Sequence, residues 1–402
     1  MRRLVVASAI LATLLTWPLA QVAAAPTQPP APNAPATAPT DSERATSALA
    51  FLLAAQRADG SLDGSIGETA DFVVGAAAVG FDPATLRGCS GTATSALDYL
   101  ATASDAAATD AAKTGKAALA VVAAGGDPAA FRGRDLVARL SALYNSGTGA
   151  YGDGSTFSES FAILAVRGDG RDVAAAALTE LKALQDPDGS WSYGKVPVAA
   201  GQGDTNSTAI ALMALDAAGD HSLDATGLAY LRSQQLADGG FPYQNSNAFG
   251  PPASDADSDA IVLQALVAAG QDPAGSSWLQ GSNSVLTQLR ASQAAGGGFA
   301  YPGMAASAFT TSQVPAALML VPYAAAVHPT TGLAVPTTAC QAPAASATAT
   351  ATVTRTPSAT ATAPDPTPGP SSPGPLALLI ALLALEGVVA AGWAFTAKPW
   401  RR

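Results

Sequence analysis

The chain has 402 residues, 49% of them hydrophobic and only 12% charged, with a formal net charge of −10. Its 20 Lys and Arg form no basic stripe and are outnumbered by 30 Asp and Glu, which excludes nucleic acid as a partner. His221 and His328, the only histidines, lie near turns with no cysteine companion, which excludes a Cys/His zinc site and leaves no metal assigned.

Residues 1–24 read as a secretory signal peptide: Arg2 and Arg3, an apolar run from Leu4 to Leu19, and Val22-Ala23-Ala24 before Ala25-Pro26. Residues 25–41 are a Pro/Ala/Thr-rich linker, predicted to be disordered. The one folded domain is predicted over 42–341, where a pattern recurs: an Ala/Leu-rich helix, a Gly-rich loop carrying an aromatic, a second Ala/Leu-rich helix and a short turn. The loop copies are Gln56-x-x-Asp59-Gly60-Ser61-Leu62, Gln185-x-x-Asp188-Gly189-Ser190-Trp191, Gln235-x-x-Asp238-Gly239-Gly240-Phe241 and Gln293-x-x-Gly296-Gly297-Gly298-Phe299, with a degenerate copy ending at Tyr151.

The second helix of each pair begins near a capping residue, as at Glu68, Ser158, Asp204, Asp257 and Thr310. It ends at a glycine suited to the left-handed C′ position: Gly80, Gly168, Gly219 or Gly270. The pairs fall at 46–79, 92–124, 136–166, 173–217, 225–268 and 284–325. Six hairpins without polar terminal caps predict an all-α fold, a single (α/α)6 toroid closed on itself, with an open superhelix as the structural alternative.

Cys89 and Cys340 lie at opposite ends of the folded region, and an exported chain meets an oxidising compartment. The expectation is a disulfide between them; two free thiols are the alternative. Residues 342–375, almost entirely Ala, Thr, Ser and Pro, read as an extended stalk, and 376–397 as a transmembrane helix. The tail 398–402 carries Lys398, Arg401 and Arg402, which orients it to the cytoplasm. The expected arrangement is a single-pass type I protein of the cell membrane, with the toroid outside and the C-terminal helix as its membrane contact.

The loops around Gln185 and Trp191, and around Gln235 and Phe241, resemble the QW-type repeats of the squalene/hopene cyclase and prenyltransferase β-subunit superfamily, and the two-helix repeat resembles theirs over 42–327. The resemblance implies a structural role for Gln185, Trp191, Gln235 and Phe241. Asp255-Ala256-Asp257-Ser258-Asp259-Ala260 resembles the DxDDTA segment of class II terpenoid cyclases, whose middle aspartate protonates an alkene or epoxide. Carried over, Asp257 is the acid and Asp255 and Asp259 its setting; Ser258 replaces the third acid, and Asp259 stands where the family has Thr. Such an acid must be held and oriented in a dry cavity.

The single-barrel cobalamin carriers are similar in compartment and in the helix start at Asp204-Thr205-Asn206-Ser207-Thr208-Ala209, and imply a corrinoid as ligand. Glycosidase toroids of the same shape place acids over the barrel mouth, for which Glu68, Glu159, Asp204 and Asp257 are the candidates. Ca²⁺ at Asp255–Asp259 or at Asp186 and Asp188 is a weaker cofactor reading, since no EF-hand glycine or bidentate Glu follows. The function expected is binding of a hydrophobic or corrinoid-type ligand, or a partner, at the barrel mouth. The alternatives are a cyclase-like lyase or isomerase acting through Asp257, and a structural or adhesion module.

Overall fold

The computed structural model describes residues 38–337 apart from 90, 92, 247–250 and 326–331. The signal peptide, stalk, C-terminal apolar helix, tail, His328 and Cys340 lie outside the described residues; no helix among those described is long and apolar enough to cross a membrane.

Six outer helices alternate with six inner ones. The outer helices are α1 (Asp41–Ala55), α3 (Ala96–Ala106), α5 (Leu136–Leu143), α7 (Ala175–Ala183), α9 (Asp224–Gln234) and α11 (Val285–Ser292). The inner helices are α2 (Ile66–Val79), α4 (Ala111–Ala123), α6 (Thr156–Gly168), α8 (Thr205–Ala217), α10 (Ala256–Ala268) and a split pair, α12 (Ala308–Ser312) and α13 (Val314–Leu318). The sixth inner helix breaks at Gln313 because Pro315 follows, which has no N–H to give and crowds the preceding turn.

The two layers differ in burial for a reason legible in their composition. An outer helix has one partner face: α11 buries Val285, Leu286 and Leu289 and leaves the rest wet. An inner helix has neighbours on both sides and an outer helix behind it, so α8 is buried continuously from Thr205 to Leu215 and α10 from Ala256 to Leu266. Such packing needs small residues. A Cβ on Gly115 of α4 would stand 2.4 Å from the Phe161 carbonyl oxygen of α6, so only glycine lets these backbones approach so closely.

The inner helices contact one another in sequence, α2 to α4, α6, α8, α10 and α13, and α13 returns to α2, so the ring is closed rather than an open superhelix. The loop glutamines fasten the outer layer. Gln56 Nε2 donates to the carbonyls of Gly60 in its own loop and Leu86 of the next repeat; Gln235 Nε2 does the same with Gly239 and Trp278. Gln185 Nε2 donates to the Gly189 carbonyl and to Thr226 Oγ1, and Trp191, fully buried, donates from Nε1 to Leu181. The last clamp reaches the first helix: Gln293 Nε2 donates to Gly297 and to the Arg44 carbonyl of α1, beside a doubly bonded Arg290–Asp41 pair at 2.6 Å.

Two details differ from expectation. Gly168 is the last residue of α6, and the left-handed residue is Gly170 (φ +73°); Gly168 is instead a packing glycine, whose Cβ would meet Leu119 at 3.0 Å. Four inner helices also start earlier than expected: their caps are Ser65, Ser155, Asp255 and Ser307, placing Glu68, Ser158, Asp257 and Thr310 inside the first turn, whereas α8 starts at its expected cap, Asp204. Cys89 is disulfide-bonded.

The loop glycine has two separable demands. Gly239 has φ +88° and a Cβ there would sit 2.7 Å from the Ser284 backbone nitrogen, whereas Gly80 has φ +99° with nothing within 4 Å. Gly80→Ala is expected to cost about 1 kcal/mol, from the left-handed backbone alone. Gly239→Ala is expected to cost about 3 kcal/mol or more, because a neighbouring repeat must also move. Urea unfolding of both variants measures the difference; equal losses would mean that the loop does not hold the next repeat.

Candidate functional site

The inner helices share a positional code, and it decides which acids face the ring's interior. At the cap, Asp204 and Asp255 accept the backbone N–H of Ser207 and Ser258, at 2.7 and 2.9 Å, as Ser65, Ser155 and Ser307 do in their own helices. At the fourth helical residue, a side-chain oxygen accepts the N–H of the loop residue at the aromatic position. Thr69 receives Leu62, Thr208 receives Trp191, and Thr311 receives Phe299, each at 2.9 Å. Glu159 and Asp259 occupy this same place, receiving Tyr151 at 2.5 Å and Phe241 at 2.6 Å.

Asp204, Asp255, Glu159 and Asp259 therefore tie loops to helices. Burial pushes the Asp204 and Asp255 carboxyls up to about 6, against the lowering effect of the hydrogen bonds they accept. Burial likewise raises Glu159 to about 8 and Asp259 well above the ordinary carboxylate range. In each of these two acids the second oxygen, Glu159 Oε2 or Asp259 Oδ2, is buried without a hydrogen bond. Glu68, the third residue of α2, is buried, and its N–H donates to the Ser65 cap.

Positions two, six and nine of an inner helix share the face turned into the ring. Tyr323, from the segment after α13, proves the direction: its hydroxyl donates to Asp71 of α2 at 2.8 Å and its ring meets Phe161 of α6 edge-on at 5.6 Å. These helices are not neighbours, so Tyr323 stands inside the ring. Asp71 also accepts from Lys116 Nζ of α4 at 3.0 Å, and that ammonium lies 4.9 Å from the Phe161 ring centre, so both buried charges are compensated. Beyond this layer, Pro322 and Ala324 line a cavity of about 250 Å³ with Leu164, Met213 and Ala268. The segment 322–325 after α13 thus occupies the ring toward the C-terminal ends of the inner helices.

The opposite end carries Asp257, the second residue of α10. Its Oδ2 accepts from Asn206 Nδ2 of α8 at 3.0 Å and its Oδ1 from Gln313 Nε2 at 2.6 Å, at the break between α12 and α13. Of the three acids in the Asp255–Asp259 segment, only Asp257 joins the interior face; the other two are a cap and a loop acceptor. Their carboxylates diverge and do not form one cation cage. Asp186 and Asp188 accept the N–H groups of Val198 and Gly201 and so hold the loop 192–203. Among the described residues one cluster, Asp216, His221 and Asp224, brings ligand-type atoms within 4.8 Å; His221 Nδ1 lies 2.5 Å from Asp216 and 3.2 Å from Asp224, and these carboxylates raise the imidazole pKa.

The mouth is uneven. The loops leading into α8, α10 and α12 run over 192–203, 242–254 and 300–306, against 63–64 and 152–154 for α2 and α6. Each long loop carries a tyrosine two places after its aromatic: Tyr193, Tyr243 and Tyr301. Tyr193 packs on Phe157, the second residue of α6, with ring centres 5.3 Å apart, and Tyr243 hydrogen-bonds to Asp204. Asn206, Gln313, Lys116 and Tyr323 were not legible as site residues. For Asn206 a signal existed: Asp204-x-Asn206 aligns with Asp255-x-Asp257, cap to second position.

No family model matches the sequence, and no curated protein does. Among solved structures, the unsaturated glucuronyl hydrolase from Bacillus sp. GL1 superposes with a TM-score of 0.51 at 15% identity, covering 69% of this chain and 95% of that one. The type II terpene cyclase MstE from Scytonema gives 0.48 at 16% identity, covering 69% and 97%. For ent-copalyl diphosphate synthase from Streptomyces platensis the values are 0.42 and 19%, covering 65% and 50%. The likeness is one of fold: the described domain is an α/α toroid.

The positional code makes a pH prediction. A carboxyl whose folded pKa is raised keeps its proton while the unfolded chain loses one, so stability falls with pH from the ordinary carboxylate value up to the folded pKa. Asp204 and Asp255 complete their loss near pH 6, leaving Glu159 to act up to about pH 8, with Asp259, raised by burial, acting in the same direction. A Glu159→Thr/Asp259→Thr double variant restores the residue used in the sister repeats. Its melting temperature is expected to exceed that of the parent by several degrees at pH 8 and by much less at pH 5. Comparison at matched pH cancels His221 and the other titrating groups. A constant difference across the range would show that neither carboxyl is held protonated.

Proposed function

We propose that the toroid binds a hydrophobic or corrinoid-type small molecule at the mouth formed by the N-terminal ends of α6, α8, α10 and α12, with Asp257 as its polar anchor. The observation that carries this reading is the orientation of Asp257: among the sequence-identified acids of its segment it alone lies on the interior face, with each carboxylate oxygen held by an amide from a flanking helix. Phe157 and Tyr193 supply apolar surface at this end of the ring, and Tyr323 fills the interior toward the other. On the same reading the domain stands outside the cell, tethered by the stalk 342–375 and the apolar helix 376–397.

A second reading has its own support. Asp257 aligns with the middle acid of the cyclase-like segment, and two amide donors hold and orient its carboxyl group. In that case the bound molecule is a substrate whose alkene or epoxide Asp257 protonates.

Native mass spectrometry of the full-length chain, purified in detergent from its own host and extracted with solvent, tests both. A discrete retained mass is expected. Asp257→Asn removes the acid proton; if the variant binds the compound but no longer converts it, Asp257 is an acid, and if no conversion occurs in either protein, the toroid is a carrier. An empty, cooperatively folded chain would sink the binding reading in favour of a structural module.

A further inference from the structure

We infer that the molecule taken at this mouth presents a row of hydrogen-bond donors, amide N–H or hydroxyl, and that Asn206 and Gln313 receive them; this rests on the binding reading above and narrows it. Each of these amides has its NH2 group committed to Asp257, at 3.0 and 2.6 Å. That commitment fixes the amide orientation, because a flipped amide would set its carbonyl oxygen against a carboxylate oxygen. The remaining atoms, Asn206 Oδ1 and Gln313 Oε1, are buried and accept no hydrogen bond. Both side chains are more than nine-tenths enclosed, with relative exposures of 6% and 9%. Two turns deeper on the interior face of α10, Gln264 Oε1 is a third buried acceptor in the same condition.

Buried acceptors left unpaired are costly and rare, and two attached to one buried carboxylate call for a cause. The repeat does not require them. The second residue of the other inner helices is Gly67, Ala112, Phe157 or Phe309, none of which carries an amide. The pairing of Asn206 with Asp257 joins two helices, α8 and α10, that are each entered by a long loop.

The complement of such a wall is defined by its polarity. Its donors are spent on Asp257, so what it offers an incoming molecule is carbonyl oxygen, and a molecule able to satisfy carbonyl oxygens must bring N–H or O–H groups. A polyprenyl hydrocarbon brings none and would leave every one of these atoms unpaired. Phe157 and Tyr193, packed with their rings tilted by 50° at the start of α6, provide for an apolar face on the same molecule. The ligand is therefore amphipathic, with a donor-bearing edge toward α8, α10 and α12 and an apolar face toward α6.

The test uses the full-length chain in detergent micelles and three probes: cyanocobalamin, edged with primary amides; maltoheptaose, edged with hydroxyls; and squalene, which has no donor. Retention is read by native mass spectrometry and affinity by titration calorimetry. The expected result is retention of cyanocobalamin or maltoheptaose, whichever donor type the wall accepts, in preference to squalene. Asn206→Leu should weaken it at least tenfold while leaving squalene unchanged. Gln313→Met, which keeps the length of the side chain, serves if Asn206→Leu fails to fold. A merely structural role for the amides would change melting temperature without changing the preference between probes. Squalene held as tightly as the other two, or donor-bearing probes bound equally by the variants, would overturn this inference and leave the binding reading intact. Retention of none of the three by a cooperatively melting chain would overturn both.

Discussion

The glutamine clamp between successive repeats is the contact on which the ring depends. One primary amide ties the carbonyl of its own left-handed glycine to a backbone or hydroxyl oxygen of the next repeat, so each hairpin is oriented by its neighbour. The glycine is needed twice over, for a positive φ and for the absence of a Cβ where the neighbouring backbone passes. Because Gln293 reaches Arg44 in α1, the same local geometry, repeated, returns the chain to its start. A solenoid with this rotation per repeat has no free end, which explains why no terminal repeat needs a polar outer face.

Closing the ring sorts polar residues by position along the inner helices. Caps and fourth residues turn outward to the loops, where carboxyls, hydroxyls and backbone N–H groups satisfy one another. Second, sixth and ninth residues turn inward, where water is scarce. The interior charges are accordingly compensated or hydrogen-bonded: Asp71 by Lys116 and Tyr323, Asp257 by two amides. Glu159 and Asp259 show how the two environments are confused in sequence. Each replaces a threonine as an outward loop acceptor, yet as a bare carboxylate in the right segment it reads as chemistry.

The asymmetry of the mouth follows from loop length rather than from the ring itself. Long loops enter α8, α10 and α12, and the polar interior residues Asn206, Asp257 and Gln313 come from these three helices or from the break between the last of them and α13. At the far end, the segment after α13 turns back and inserts Tyr323, so the cavity beyond it is separated from the Asp257 end by a layer of packed side chains. The broken sixth inner helix serves this arrangement, since the turn at Gln313 is where its amide meets Asp257.

From sequence alone the repeat period, the six hairpins, the glycine-bearing loops and the closed all-α architecture were legible, because helix periodicity and left-handed glycines are local properties that tertiary packing does not reverse. The resemblance to a cyclase segment, by contrast, placed Asp255, Asp257 and Asp259 together as one acidic motif. Only the tertiary structure separated them, because successive helical residues point about 100° apart and each direction leads to a different environment: a cap, the ring interior and a loop. Asn206 and Gln313 were silent for the complementary reason. They stand far from Asp257 along the chain, and an amide becomes informative only when the fold sets its nitrogen against a carboxylate and leaves its oxygen buried and unpaired.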